Sequence, residues 1–238
     1  MPTFPWLWVR LAFTSLLLVL LWQTADGDKI FGLLTQSHPV WFLGAVGLLI
    51  LQTALSAWRW KIIAYRLGQR FSYPLALREY FLGQVINQAV PGAVTGDAAR
   101  AVRMRRDVGL KTAGLAVALE RFVGQIAMFA VLGLGFLATL IWPGGLAWPT
   151  PLANSVGMGL VAVVSVGVIA VLSHHFGGST RLAGWFRPGL NALFSPKALP
   201  SQISLGAAIA VCNLFAFGLC AHSVGAPLPV MALFAVVA

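Results

Sequence analysis

The sequence predicts an all-α polytopic membrane protein, and three observations predict it. Of its 238 residues, 59% are hydrophobic and only 9% are charged, where an ordinary soluble chain carries about a quarter charged residues. The apolar residues are gathered into runs of roughly the 20 residues needed to cross a hydrocarbon core of about 30 Å. Tryptophans mark the ends of those runs, as interfacial aromatic belts do. One integral membrane domain, residues 1–238, accounts for the whole chain, with no room for a separate soluble catalytic domain.

Six apolar spans are expected, at Trp6–Thr24, Val40–Trp58, Arg121–Trp142, Ser155–Ser173, Ile203–His222 and Pro229–Ala238. Trp22, Trp41, Trp58, Trp60, Trp142 and Trp148 stand at or near their ends. The first run carries Arg10 and resembles a signal peptide, with Ala25-Asp26-Gly27 as a weak cleavage match. It is long for a signal, so we read a retained span whose Arg10 snorkels to the headgroups. The last run is half a crossing long, so the domain is expected to be C-terminally incomplete. Cys212 and Cys220 lie about 12 Å apart along one helix, too far for a disulfide.

The net charge is +10, which in general points to nucleic acid or to an anionic membrane surface. Here the cations fall in short loops between apolar runs, a placement that favours lipid headgroups and argues against nucleic acid. The same cations orient the chain, because cytoplasmic loops are enriched in Lys and Arg. With the N-terminus cytoplasmic, Arg59, Lys61, Arg66, Arg70 and Arg78 fall inside. Arg100, Arg103, Arg105, Arg106 and Lys111 also belong inside.

The segment Tyr80–Gly96 lies between those two clusters and so must enter and leave by the same face. A full crossing would carry the second cluster outside and invert everything after it. A re-entrant broken helix entering from the cytoplasmic side leaves only Lys29 and Arg121 of the 16 cations away from that side. Tyr80–Gln88 as a helix rises about 13.5 Å, near the midplane. Pro91-Gly92 then breaks it, and irregular backbone at that depth needs a protein-lined or wet cavity.

Gln84, Asn87 and Gln88 share one helix face at i, i+3, i+4. They either hydrogen-bond a passing headgroup or clamp neighbouring helices. Asp97 opens a new helix, where as N-cap it would accept from the backbone N–H of Ala99 or Arg100, and where it could also pair with Arg100 in a gate or meet an ammonium. The turn Gly92–Gly96 before that helix is a weak phosphate-cradle signal. Arg100 is the cation nearest the turn, and its planar fork suits phosphate. Arg103 is spaced to pair with Asp107 at i, i+4, with Arg106 on the headgroup-facing surface. Glu120 and Arg121 sit at the cytoplasmic rim of a span, where ionisable groups need partners, and Arg121 is expected to face the same cavity as Asp97. His174, His175 and His222 lack metal-ligand neighbours, and no metal, cofactor or nucleophile motif is present. We therefore expect no cofactor and no enzyme active site.

The pattern Asn87-x-x-x-Pro91-Gly92-x-x-x-Gly96-Asp97-x-x-Arg100, followed by Glu120-Arg121-Phe122-Val123-Gly124, resembles the lysylphosphatidylglycerol synthase transmembrane-region family. The resemblance is carried by Trp58–Trp142, and beyond that by hydropathy alone. It implies a bacterial inner-membrane protein related to the flippase half of multiple peptide resistance factors. In that family two glycines usually precede the aspartate, whereas Thr95 holds the first of those positions here. The resemblance also implies a second glycine-rich re-entrant element, which this chain stops short of. The soluble aminoacyl-transfer domain of the full synthases is absent, so synthase activity is not expected.

The leading expectation is a flippase-like transporter that moves a phospholipid or related amphiphile, anionic or aminoacylated. Asn87, Gln88, Pro91, Gly92 and Gly96 would line the headgroup path. Arg100 and Arg121 would meet phosphate, and Asp97 with Glu120 would balance charge or bind a cationic headgroup. The rivals are a scaffold for a lipid or glycan synthase, an ion-coupled small-solute transporter and, less favoured, a membrane-embedded transferase. The expected partners are membrane lipids, with a second copy of the chain or a lipid synthase as further candidates.

Overall fold

The computed structural model describes residues 26–89, 94–106, 108–141 and 195–228 without interruption. It also describes residues 12, 14–16, 19–20, 22–24, 154–159, 161, 165, 189, 192–193 and 233. Among the described residues the ordered elements are helices, with no strand. They are α1 (Gly27–Thr35), α2 (Pro39–Arg66), α3 (Tyr73–Ala89), α4 (Thr95–Arg103), α5 (Gly109–Ile141) and α6 (Leu199–Ser223). Three of the described helices are long and apolar enough to cross a membrane: α2, α5 through Ala138, and α6. The expected spans Trp6–Thr24, Ser155–Ser173 and Pro229–Ala238 lie wholly or largely outside the described residues. So do Pro91, Gly92 and Asp107.

α2 starts with a proline in its first turn, where the missing N–H costs nothing. It stops at Gly68, whose φ of 89° turns the chain out of the helix while Gln69 N–H reaches back to the Ala64 carbonyl at 2.9 Å. α6 closes the same way, with Gly225 at φ 73° and Ala226 N–H bonded to the Ala221 carbonyl at 3.0 Å. The two helices lie antiparallel along their full lengths. At one end Arg66 donates to Ser195 Oγ and to the Lys197 carbonyl, at 3.1 and 2.9 Å. At the other, His38 N–H donates to the Ser223 carbonyl at 2.8 Å and the Trp41 ring lies 4.7 Å from that of His222.

α3 and α4 form a hairpin that folds back on itself. Near the tip, the Gly96 N–H donates to Asn87 Oδ1 at 2.7 Å. Halfway along, Gly83 and Gly96 pack backbone to backbone, and a Cβ on Gly96 would collide with the Gly83 carbonyl. At the base, Arg103 pairs with Glu79, and Gln69 Nε2 donates to the Met104 carbonyl at 2.6 Å. Both ends of the hairpin therefore sit beside the C-terminal end of α2. α5 starts a few residues beyond Met104 and meets Arg59 with Glu120, so it descends antiparallel to α2 and parallel to α6. Ala57, Trp60 and Ala64 of α2 pack with Ala76, Tyr80, Ala101, Ala116 and Val117, where the small residues let α2, α3, α4 and α5 approach closely. Val40, Leu43, Ile50 and Phe215 point outward and remain exposed, an arrangement suited to lipid contact.

Two local expectations are corrected. Asp97 is not an N-cap: α4 begins at Thr95 after Val94, without a side-chain cap, and Asp97 spends its carboxylate on arginines instead. Arg59 is not a loop cation but a residue inside α2, 3% exposed.

Candidate functional site

Four helices bring a chain of charges together. Arg59 Nη2 donates to Glu120 Oε1 at 2.8 Å, and the Tyr80 hydroxyl donates to the same oxygen at 3.2 Å. The other carboxylate oxygen, Oε2, accepts from Arg100 Nη2 at 3.4 Å. Arg100 Nη2 also reaches Asp97 Oδ1 at 3.1 Å, and Arg121 Nε donates to Asp97 Oδ2 at 2.8 Å. The order is Arg59, Glu120, Arg100, Asp97, Arg121, alternating in sign. An ion pair out of water survives only where geometry and added hydrogen bonds offset desolvation. Here the Arg100 guanidinium also lies over the rings of Trp60 and Tyr80, at 4.4 and 4.6 Å from their centroids. Gly124 leaves space for Arg59, since an added Cβ there would come within 3.1 Å of Arg59 Nη2.

The chain runs from a sealed end to an open one. Arg59, Arg100 and Glu120 are 3%, 1% and 1% exposed, whereas the Arg121 side chain is 49% exposed. The open end faces a cavity of about 350 Å³, lined by Leu49, Gln52, Thr53, Gln84, Asn87, Gln88 and Arg121. The Thr53 hydroxyl lies 3.4 Å from Gln84 Oε1, joining α2 to the hairpin at the cavity wall.

The predicted residues therefore divide. Asn87, Gln88 and Arg121 line the cavity, and Gln84 joins them. Asp97 sits one contact back, holding Arg121. Arg100 and Glu120 are enclosed and do not reach the cavity wall. Gly96 serves the hairpin's close approach to Gly83. Pro91 and Gly92 lie outside the described residues. Gln52, Thr53, Arg59, Trp60 and Tyr80 were not anticipated. A signal for the α2 residues was present: Gln52, Thr53, Ser56 and Arg59 fall at i, i+1, i+4, i+7, a polar stripe on one face of an apolar run.

What this arrangement can do chemically is hold an oxyanion and hydroxyls. Arg121 keeps its Nη pair unoccupied among the described residues, an end-on fork matched to two phosphate oxygens. The amides around it donate and accept. Among the described residues no cluster of His, Cys, Asp and Glu suits a metal ion, and both cysteines are free. Against known proteins, the model of one family, described as the lysylphosphatidylglycerol synthase TM region, matches residues 7–238. No curated protein and no solved structure matches the chain.

Proposed function

The chain belongs to the lysylphosphatidylglycerol synthase transmembrane-region family, and from that premise we propose a lipid transporter that passes a phospholipid headgroup through the cavity beside Arg121. The family places the chain among multi-pass membrane proteins related to lipid handling. Transport, the inner membrane and a cytoplasmic N-terminus are our reading. In that reading the α3–α4 hairpin is re-entrant, entering from the cytoplasmic side, and the chain carries out no bond chemistry.

One observation carries the proposal: a polar cavity opens beside a half-exposed arginine at a level where α2 is otherwise apolar. Leu49 and Thr53 on its wall lie nine and five residues from Trp58, about 13.5 and 7.5 Å along the helix. If Trp58 marks the aromatic belt, the cavity lies between that belt and mid-bilayer. Polar groups at that depth are costly unless they serve a partner or a path. Discontinuous helices lining such a site are a recurrent transporter device.

The test is leaflet exchange in liposomes holding the purified protein and a trace of acyl-labelled fluorescent phospholipid, read by dithionite quenching. The native protein should expose inner-leaflet label, and Gln52→Leu with Gln88→Leu, at cavity-lining amides that hold no other helix, should slow that exchange without lowering the folded yield. A native protein that moves no lipid favours the scaffold reading. Proton flux without lipid movement favours the small-solute transporter.

A further inference from the structure

The site's charges narrow the headgroup. Four of the five linked groups, Arg59, Glu120, Arg100 and Asp97, cancel in pairs and are enclosed. The fifth, Arg121, is the excess positive charge, and it is the one that lines the cavity. Because Arg121 shares Asp97 with Arg100, the linked set carries one net positive charge, which a single negative charge brought to Arg121 would balance.

The same accounting leaves nothing for an ammonium group. The whole sequence holds six carboxylates. Asp97 and Glu120 are each held by two arginines, and Glu79 pairs with Arg103 at the hairpin base. Asp26 and Asp28 stand at the start of α1, and Asp107 follows α4 in the chain. Among the described side chains, none of Asp26, Glu79, Asp97 and Glu120 lines the cavity, whose described polar groups other than Arg121 are Gln52, Thr53, Gln84, Asn87 and Gln88. Amides and a hydroxyl pair well with sugar or glycerol hydroxyls. They offer an ammonium only neutral acceptors, and Arg121 repels it.

Resting on the transporter reading above, we propose that this cavity selects phospholipids with a net anionic, hydroxyl-bearing headgroup and rejects those carrying an ammonium, aminoacylated ones included. The phosphate takes the Nη fork of Arg121 while Nε stays on Asp97, and the amides of Gln84, Asn87 and Gln88 take the hydroxyls. The charge chain behind Asp97 fixes the guanidinium so that the fork is presented ready-formed.

Liposomes with acyl-labelled phosphatidylglycerol, phosphatidylcholine or lysyl-phosphatidylglycerol separate the outcomes. Phosphatidylglycerol should exchange about tenfold faster or more than either ammonium lipid, the size expected from one unpaired polar group. Arg121→Gln should remove most of that preference, and Gln88→Glu should shift it toward the ammonium lipids. Equal or faster exchange of an ammonium lipid by the native protein overturns the headgroup inference while leaving transport intact. If no lipid exchanges, transport fails instead, and thermal unfolding in detergent then decides the headgroup. A larger rise in Tm with phosphatidylglycerol than with phosphatidylcholine keeps the inference, and equal shifts overturn it.

Discussion

Glu120 is held by Arg59 on one oxygen and Arg100 on the other, with Tyr80 donating to the first. Both arginines are enclosed, so neutralising the carboxylate strands Arg59 and leaves Arg100 with Asp97 alone. Glu120→Gln should therefore cost about 3–5 kcal/mol of stability, the range for breaking a buried pair. Arg121→Gln should cost under about 1 kcal/mol, as exposed pairs do, because its side chain is half in the open and Asp97 keeps Arg100. Thermal unfolding of both variants in one detergent measures the contrast, and equal losses would contradict the sealed-to-open order. The sequence revealed Glu120, Arg121 and Asp97 as residues needing partners, because ionisable groups stand out in apolar surroundings. It did not reveal Arg59, because a cation near a span end reads first as a topology signal. Only its neighbours Gln52, Thr53 and Ser56, one face of the same helix, distinguish it.

The hairpin of α3 and α4 depends on how closely two backbones approach. Gly83 and Gly96 face each other, yet the demands on them differ. A Cβ on Gly83 would come no closer than 3.4 Å to the Gly96 carbonyl oxygen, an ordinary contact. A Cβ on Gly96 would overlap the Gly83 carbonyl and come within 2.9 Å of Asn87 Oδ1. Gly83→Ala should thus be near neutral, helped by up to about 1 kcal/mol of helix propensity. Gly96→Ala should cost about 1–3 kcal/mol as the helices splay, and it should slow lipid exchange by moving Asn87. Denaturant or thermal titration of the two variants, beside the exchange assay, reads the asymmetry. The hairpin's existence was legible from charge placement and from the polar face of Gln84, Asn87 and Gln88. Its internal packing was not, because Gly96 reads as turn chemistry until its neighbour is known. Asp97 misled for a similar reason: a carboxylate in the first turn suits capping as well as ion pairing, and only Arg121 across on α5 decides.

For the whole molecule, α2 runs opposite to α5 and α6, with Arg66 beside Lys197 and with Met104 beside Gln69. Single cysteines at Arg78, Arg105 and Lys197 should therefore be labelled from one side of sealed vesicles, and Ala226→Cys from the other. Labelling of Arg78→Cys and Arg105→Cys from opposite faces would remove the re-entrant hairpin and the lipid path with it. Charge segregation is what predicts this one-sided labelling, since one wrong crossing inverts every later loop.

The Arg59–Glu120 pair also constrains how the protein is made. The partners are separated by 61 residues, so α2 reaches the bilayer before Glu120 has been synthesised. At ordinary elongation rates the delay is about 3–12 s. During that interval the guanidinium has to be sheltered by the insertion machinery, by water or by headgroups. α2 is long and apolar enough to insert alone, and its Arg59 gains a counter-charge only once α5 arrives.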